Sequence, residues 1–267
     1  MFDLPVGRPA IMGILNVTAD SFSDGGQYLE VPHAVEAGFR MVAEGADLID
    51  VGGESTRPGA ESIAVEEELR RVLPVVQALA ERGIKVSIDT MKAEVASRAL
   101  EAGAAVVNDV NGLRGPGMLA VVTARQCSVC IMHMQGSPQT MQQAPIYDDV
   151  VREVRSFLLL QAARLEEAGL PADRIWIDPG IGFGKSVDHN LSILRDLEKF
   201  VATGYPVLLG VSRKSFIGQV LGGLPVEERG EGTQAVHVWA QLQGVRVLRV
   251  HDVEATARTV RMIEAIA

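Results

Sequence analysis

The sequence predicts a (β/α)8 barrel, the TIM-barrel fold, formed by a single domain that spans residues 1–267. Chain length, composition and the order of apolar and helical segments support this prediction. At 267 residues the chain has the usual size of one such barrel. Aromatic residues make up only 4% of a composition that is 47% hydrophobic, which is typical of aliphatic parallel strands covered by helices.

Eight short apolar runs, each bounded by polar residues or glycine, recur along the chain and are the predicted strands. They are AIMGIL (10–15), DLIDVG (47–52), IKVSID (84–89), AVVND (105–109), SVCIMHM (128–134), RIWIDPG (174–180), PVLLGVS (206–212) and GVRVLRV (244–250). Strands that alternate with helices pair in parallel, because each crossover carries a helix. Eight evenly distributed units favour closure into a barrel over the alternative, an open doubly wound sheet.

Helical periodicity marks the segments between several of these runs, with apolar residues near i, i+3, i+4 and i+7. The predicted helices lie within residues 31–46, 64–83, 92–103, 148–169 and 253–267. Several of these segments end in glycine after a charged residue, as helix C-termini do. No Pro/Ser linker or block of charge suggests a second domain.

Charge and hydropathy exclude several classes of partner and location. A net charge of −9 argues against broad binding to nucleic acid or to an anionic membrane. No apolar run approaches the roughly 18 residues of a membrane span. The N-terminal residues MFDLPVGRPA lack the features of a secretion signal, and two cysteines cannot form a disulfide framework. We therefore expect a cytoplasmic protein.

Two segments resemble known functional motifs but do not match them. A redox CxxC normally opens a helix, whereas Cys127 and Cys130 enter a strand-like run, so we expect buried structural cysteines. The segment PGIGFGKS (179–186) has Pro179 where a phosphate-binding loop needs glycine. It also has Lys185 at the last glycine position of a dinucleotide motif, so neither cofactor motif is present.

Polar residues follow every predicted strand, at the end where barrel enzymes carry their active sites. In strand order they are Asn16; Asp50 with 54–57; Asp89; Asn108 and Asp109; His133; Asp178; Ser212, Arg213, Lys214 and Ser215; and Arg249 with His251. For Asp50 and Asp109, capping of a following helix is the preferred interpretation. Eight polar strand ends in succession nevertheless indicate a ligand at one mouth of the barrel.

The chemistry of this ring suggests two parts of one ligand. Asp89, Asn108 and Asp178 suit a neutral group rich in N–H donors, because an ionised carboxylate accepts two parallel bonds from an amino-pyrimidinone edge. Arg249 and His251 are two apart on one strand and project to the same face. Basic groups that converge in an acidic protein suggest a phosphate-bearing substrate, although His251 alone could be a structural histidine.

Eight blocks of sequence carry a more specific signal: NVTADSFSDGG, GGESTRPGA, SIDT, NDVNG, IMHMQGSPQTMQ, DPGIGFGK, GVSRKSFIG and LRVHDV. Together, and in this order from Ile14 to Val253, they resemble the dihydropteroate synthase family of folate biosynthesis. The resemblance implies a pterin-binding (β/α)8 barrel. It also implies that 6-hydroxymethyl-7,8-dihydropterin diphosphate is joined to 4-aminobenzoate, forming dihydropteroate and releasing pyrophosphate with Mg²⁺. Sulfonamide inhibition and a homodimer are further expectations of the family.

The resemblance assigns roles residue by residue. The residues implied for pterin binding are Asp89, Asn108, Asp178 and Lys214. Those implied for pyrophosphate are Asn16, Thr56, Arg249 and His251, with Asn16 also implied as a ligand of Mg²⁺. The aminobenzoate site and two mobile loops would include Phe22, Asp24, Arg57, Phe183 and Ser215.

The loop that begins at Asn16 departs from the family at one position. The family usually has proline where this chain has Ala19, and proline would reduce the conformational entropy of the loop. The departure concerns the stiffness of the loop rather than the chemistry. We expect residues 16–26 to form a lid that closes over pyrophosphate and the amine.

A dissociative, SN1-like substitution is the expected mechanism, because the aromatic amine is unprotonated near neutral pH and the diphosphate is a good leaving group once its charge is neutralised. Two other functions stay open at this point. One is a methyltetrahydrofolate-dependent methyltransferase, which shares a pterin-binding barrel, and the other is a pterin-binding homologue without catalysis. The SRKS and STRPG blocks favour the synthase.

Overall fold

Eight parallel strands form the centre of the computed structural model, which describes residues 2–18, 30–56 and 59–266. The strands are β1 (Ala10–Asn16), β2 (Leu48–Gly52), β3 (Val86–Asp89), β4 (Val106–Asp109), β5 (Ser128–Met132), β6 (Ile175–Asp178), β7 (Leu208–Leu209) and β8 (Val247–Val250). Their order is β6-β5-β4-β3-β2-β1-β8-β7. A parallel bridge from Ile177 to Val207 joins β6 to the chain entering β7 and closes the sheet. The predicted (β/α)8 barrel is therefore confirmed.

Helices surround the strands in the described part of the chain. They are α1 (Glu30–Glu44), α2 (Val65–Glu81), α3 (Ala93–Glu101), α4 (Met118–Arg125), α5 (Val150–Glu167), α6 (Val187–Arg195), α7 (Glu198–Val201), α8 (Ser215–Val220), α9 (Gly230–Leu242) and α10 (Val253–Ile266). The five predicted helical segments correspond to α1, α2, α3, α5 and α10. Helices α4 and α6 to α9 were not predicted from the sequence.

Side-chain alternation along each strand separates two hydrophobic layers. One layer faces the helices and contains residues such as Ile49, Val107 and Ile177. The other fills the barrel interior near the N-terminal ends of the strands: Ala10, Met12, Leu48, Val106, Cys130, Trp176, Leu208 and Val247. The ring of Phe2 packs edge-on against Trp176 at a centroid distance of 5.9 Å and covers this layer. The apolar layer closes one end of the barrel, so a ligand has access from the other end.

Both cysteines are buried and free, as predicted. Cys130 lies in the interior apolar layer, whereas Cys127 precedes β5. Burial raises the pKa of Cys127 to about 11 and raises that of Cys130 well above its ordinary value. Both thiols are therefore protonated and unreactive near neutral pH. Among the helices of the described ranges, none is long and apolar enough to cross a membrane.

Candidate active site

A polar layer lies directly above the apolar layer inside the barrel, towards the C-terminal ends of the strands. Its members follow residues of the apolar layer two positions later on the same strand, so alternation points them inward. Four residues occupy this position: Asp50 after Leu48, Asn108 after Val106, Asp178 after Trp176 and Arg249 after Val247. Asp89, at the end of β3, contacts this group through Arg249. Five of the predicted strand-end residues are therefore brought together at one mouth: Asp50, Asp89, Asn108, Asp178 and Arg249.

Arg249 joins three strands through two carboxylates. Its Nε donates to Asp50 Oδ2 at 2.6 Å and its Nη2 donates to Asp89 Oδ2 at 2.7 Å. Asn108 Nδ2 donates to the same Asp50 oxygen at 3.0 Å. Burial lowers the pKa of Arg249, but the carboxylates of Asp50 and Asp89 more than offset this and leave it above its ordinary value. Arg249 is thus a permanent cation at the base of the mouth.

Two acceptor atoms in this layer have no hydrogen-bond partner among the described residues. They are Asp50 Oδ1 and Asp89 Oδ1, and both are buried. Burial raises the pKa of Asp89 to about 7, although Arg249 acts in the opposite direction. Buried acceptors without partners are uncommon in folded proteins. Asp50 is 0% exposed, whereas Asp89 ends its strand and is 7% exposed, so the free Oδ1 of Asp89 indicates an N–H donor from a ligand.

The loop after β6 packs against the end of β7. Asp178 Oδ1 accepts from the backbone N–H of Gly180 at 2.7 Å, and burial raises the pKa of Asp178. The Lys214 ammonium donates to the carbonyl of Ile181 and lies 4.5 Å from the centre of the Phe183 ring. Burial lowers the pKa of Lys214 to about 8, while Asp178 opposes this shift. A carboxylate, a cation and an aromatic ring therefore line one side of the mouth.

An apolar wall that the sequence analysis missed completes this side. It consists of Val110, Met132, Met134 and Met141, with Met91 and Phe183 packed against it. The signal for Met132 was available, because it lies two residues after the inward-facing Cys130 on β5. Polarizable thioether side chains pack well against flat rings, so the wall suits the face of a heteroaromatic ligand.

Asn16 ends β1 with its side chain half-buried at the mouth. Asn16 Oδ1 and Asp89 Oδ2 each lie 3.7 Å from the point where a side chain on Gly52 would begin. The glycine therefore leaves a small space between two oxygen atoms, which are the donor type that Mg²⁺ prefers. No three His, Cys, Asp or Glu side chains gather as a metal site within residues 2–18, 30–56 and 59–266. A Mg²⁺ ion bound by one or two protein oxygens and substrate phosphate does not require such a group.

His251 follows β8 and contacts the end of β7. Its backbone N–H donates to Ser212 Oγ at 3.2 Å, and its Nδ1 lies 3.0 Å from the same oxygen. The side chain of His251 is half-buried. Arg213, the next residue after Ser212, is exposed, and its left-handed φ of 58° helps to turn the chain into α8.

The base of the loop after β2 is fixed by a buried ion cluster. Lys92 Nζ lies 2.6 Å from Glu54 Oε2 and 2.6 Å from Glu68 Oε2. Glu54 also accepts from the backbone N–H of Ile63 at 2.9 Å, across the loop. Glu54 therefore has a structural role, while Thr56 is half-buried two residues further on.

Three of the predicted strand-end residues do not have the position or role predicted for them. His133 lies outside the mouth: it contacts the Phe157 ring at 5.2 Å and is 8% exposed, and burial lowers its pKa to about 2. Asp109 faces the helices, where it accepts the backbone N–H groups of Asn111 and Leu113 at 2.9 and 2.8 Å. The predicted helix-capping role is wrong for this residue, because the bonds support a turn and the N-cap of α4 is Gly117. The same expectation for Asp50 is wrong, because this residue bonds Asn108 and Arg249 inside the barrel.

Lys185 of the rejected phosphate-loop motif is buried beneath the loop after β6. Its Nζ donates to the Phe183 carbonyl at 3.0 Å and lies 3.0 Å from His133 Nδ1. Burial lowers its pKa well below the ordinary value. This lysine therefore packs the loop rather than facing a phosphate.

The remaining predicted residues divide into two groups. Ser215 begins α8 and is exposed at the rim. Phe22, Asp24 and Arg57 lie outside the described residues, as does Ala19. Their predicted roles stay predictions.

Comparison with protein families supports the chemistry of this mouth. A family profile described as pterin binding enzyme matches residues 12–251, from within β1 to the residue after β8. The matched region therefore includes every strand end that contributes to the polar layer. The fold and the site are those of a pterin-binding enzyme.

Relatives define the family more narrowly. The dihydropteroate synthase of Escherichia coli is 48% identical over 98% of this chain and 93% of its own length. The Yersinia pestis dihydropteroate synthase in a sulfonamide drug complex has a TM-score of 0.93 at 44% identity, covering 99% of this chain and 96% of its own. The Xanthomonas albilineans dihydropteroate synthase with 4-aminobenzoic acid has a TM-score of 0.92 at 48% identity, covering 97% of this chain and 93% of its own. The Xanthomonas albilineans enzyme in complex with 7,8-dihydropteroate has a TM-score of 0.89 at 44% identity, covering 98% of this chain and 95% of its own. The chain belongs to the dihydropteroate synthase family.

Proposed function

We propose that the protein joins 6-hydroxymethyl-7,8-dihydropterin diphosphate to 4-aminobenzoate, forming 7,8-dihydropteroate and pyrophosphate. The observation that carries this proposal is the inward polar layer, in which Asp89, Asn108 and Asp178 converge beside an apolar wall. The relative from Xanthomonas albilineans supports it, because that enzyme has been solved with 4-aminobenzoic acid and with 7,8-dihydropteroate. The methyltransferase alternative has no comparable support.

The pterin ring would lie in the mouth with its polar edge towards the barrel interior. Asp89, Asn108 and Asp178 would accept N–H bonds from the ring, and Lys214 would donate to a ring acceptor. The unpaired Asp89 Oδ1 supports this assignment, since an amino-pyrimidinone edge supplies the missing donor. The methionine wall would cover one face of the ring.

The diphosphate would lie near the ends of β1 and β8, at Asn16, Thr56, Arg249 and His251. Arg249 can serve two partners, because the bonds to its two carboxylates use only part of the five N–H groups of a guanidinium. Asn16 would supply an oxygen ligand to Mg²⁺. When bound, this ion supplies positive charge that neutralises the departing diphosphate.

Substitution at the methylene carbon would be dissociative. As the C–O bond breaks, positive charge develops on the pterin system, where the buried carboxylates Asp89 and Asp178 stabilise it electrostatically. Arg249 and His251 would stabilise the opposite charge on the leaving oxygen. The amine nitrogen then forms the new C–N bond and loses a proton to solvent, so no strong base or covalent intermediate is required. The chain's contribution is orientation, fixed charge and exclusion of water.

Phe183 and Ser215 would border the aminobenzoate site, together with Phe22, Asp24 and Arg57 from the two loops. Phe183 is held by the cation of Lys214 and by the apolar wall, so it can provide one fixed side of a slot for the aminobenzoate ring. Sulfonamides would bind in the same slot as inhibitors. The sulfonamide complex of the Yersinia pestis relative supports this part of the proposal.

A cytoplasmic homodimer is the proposed working form. Apolar side chains exposed on α9 and α10 support an interface there: Trp239 and Leu242 on α9, and Met262 and Ile266 on α10. Sedimentation equilibrium should give twice the mass of the 28.6 kDa chain. A mass equal to one chain at micromolar concentration would contradict the dimer without affecting the proposed reaction.

Incubation of purified protein with the pterin diphosphate, 4-aminobenzoate and Mg²⁺ tests the function directly. We expect pyrophosphate and dihydropteroate in equal amounts, and neither when aminobenzoate is replaced by benzoate. A non-catalytic homologue would bind the pterin without releasing pyrophosphate. A methyltransferase would give no pyrophosphate and would instead demethylate methyltetrahydrofolate, so each alternative has its own outcome.

A further inference from the structure

Asp50 lies at the centre of the polar layer but has no role in the chemistry described above. It is on β2, two residues after the core residue Leu48, and is 0% exposed. Its neighbours in register are Ile14 on β1 and Ser87 on β3. Because it is sealed from solvent by the residues around it, Asp50 can act only through the side chains that it contacts.

One oxygen of Asp50 receives both of its hydrogen bonds. Asn108 Nδ2 and Arg249 Nε both donate to Oδ2, at 3.0 and 2.6 Å, while Oδ1 has no partner among the described residues. An ionised carboxylate only accepts hydrogen bonds. Asn108 must therefore turn its NH₂ group towards Asp50 and leave its carbonyl oxygen for other partners. In the absence of such a partner, a side-chain amide can take either orientation.

Space filling alone does not account for this arrangement. An apolar residue of similar size, such as the Leu48 found one layer below, would fill the space but would leave Arg249 Nε and Asn108 Nδ2 without this acceptor. Burial of a carboxylate with one unpaired oxygen is costly. What Asp50 adds, and a leucine would not, is a defined orientation for Asn108 and a second anchor for Arg249.

We propose that Asp50 is a positioning residue that sets the hydrogen-bond specificity of the mouth. By binding the NH₂ group of Asn108, it fixes this side chain as an acceptor towards the ligand, so the ring atom opposite Asn108 must be an N–H donor. By binding Arg249, it keeps the guanidinium at the base of the site. The inference rests on the proposed function, because it takes the ligand to be a pterin ring that contacts Asn108.

An exchange of the two side-chain types tests this inference. In Asp50→Asn, residue 108 is free to turn its NH₂ group to the ligand. In Asn108→Asp, two carboxylates face each other. In the double variant Asp50→Asn/Asn108→Asp, the new amide donates to the new carboxylate, which presents an acceptor to the ligand in either orientation. Ser87→Ala is the matched control, since Ser87 is a buried neighbour of Asp50 and its hydroxyl has no hydrogen-bond partner in the described part of the chain.

Calorimetric binding of the pterin diphosphate and steady-state kinetics should be measured for all five proteins. We expect each single exchange to weaken pterin binding at least tenfold and to raise the KM for the pterin diphosphate, with little change in the KM for aminobenzoate. The double variant should bind the pterin diphosphate at least threefold more tightly than either single variant does. Ser87→Ala should bind as the unmodified protein does.

Several outcomes would overturn the inference. They are wild-type affinity in Asp50→Asn, equal losses in Ser87→Ala, or a double variant whose losses simply add. If Asp50→Asn does not fold, as judged by its thermal transition, comparison of Asn108→Asp with the double variant still decides the question. Failure of the unmodified protein to bind the pterin would instead contradict the proposed function, so the two failures are distinguishable.

Discussion

Replacement of Asp178 should abolish tight pterin binding while leaving the barrel folded. Asp178 is 5% exposed, and one of its oxygens is already used by the backbone N–H of Gly180. The proposed contact with the ring therefore depends on the other oxygen. Asp178→Ala removes both bonds, whereas Asp178→Asn can keep the bond to Gly180 and presents NH₂ in place of the second acceptor. Comparison of the two variants separates loop support from ligand recognition.

The expected loss follows from the burial of this contact. In Asp178→Ala, N–H donors of the bound ring would face an apolar methyl group and stay unpaired. Such a loss is worth about 2–5 kcal/mol, which is roughly 30- to 5,000-fold in affinity. Asp178→Asn should lose a similar amount, because its NH₂ group would oppose the donors of the ring. Isothermal titration with the pterin diphosphate measures both values.

Asp109→Ala provides the control for this experiment. Asp109 is also a buried strand-end carboxylate, but it accepts the backbone N–H groups of Asn111 and Leu113 on the helix side of the barrel. Its replacement should lower thermal stability and leave pterin affinity within about twofold of the original, since the bonds lost are remote from the ligand. Near-native affinity in Asp178→Asn, or an equal loss in folded Asp109→Ala, would refute the assignment of the pterin edge.

Three further predictions concern the neighbouring residues. Lys214→Ala should remove most product formation. Lys185→Ala should reduce product formation less, because Lys185 only packs the loop after β6. Equal losses of product formation in the two variants would mean that the site at β7 is misplaced. Burial raises the pKa of Asp89 from an unfolded value of about 3.9 to about 7, so the folded state binds more protons and stability should fall as pH rises from about 4 to 7. Thermal unfolding of Asp89→Asn should show a flatter dependence in that window, and an unchanged slope would contradict the shift. Finally, aminobenzoate should bind poorly until pyrophosphate and Mg²⁺ are present. Phe22→Ala or Asp24→Ala should weaken catalysis far more than pterin binding. Equal aminobenzoate affinities with and without pyrophosphate would mean that the aminobenzoate slot is preformed.

Local sequence patterns predicted the barrel because its strands and long amphipathic helices each carry a local signal. The helices that were missed lack that signal. α4 has the sequence MLAVVTAR, which is apolar on most sides, and α8 is only six residues long. α9 begins with GEG, which is typical of a loop even though Arg229 and Thr233 stabilise its first turn. Tertiary contacts decide these segments, so local patterns do not predict them.

Part of the candidate site could be predicted from the sequence, because the C-terminal ends of all the barrel strands lie at the same mouth. That rule correctly groups Asp89, Asn108, Asp178 and Arg249 at one mouth of the barrel. It failed for His133, because one further step along the strand turns a side chain from the mouth to the helix layer. Sequence could not reveal that Arg249 binds Asp50, since 199 positions separate them. Such pairing depends on barrel closure, which brings β8 beside β1 and close to β2.

A crystal structure with the pterin diphosphate, Mg²⁺ and a non-reactive aminobenzoate analogue tests the central claim most directly. The account predicts that the polar edge of the pterin bonds Asp89, Asn108 and Asp178 inside the barrel, with the diphosphate at Asn16 and Arg249. A pterin bound outside the barrel mouth, or a ring whose edge contacts none of the three acceptors, would contradict it.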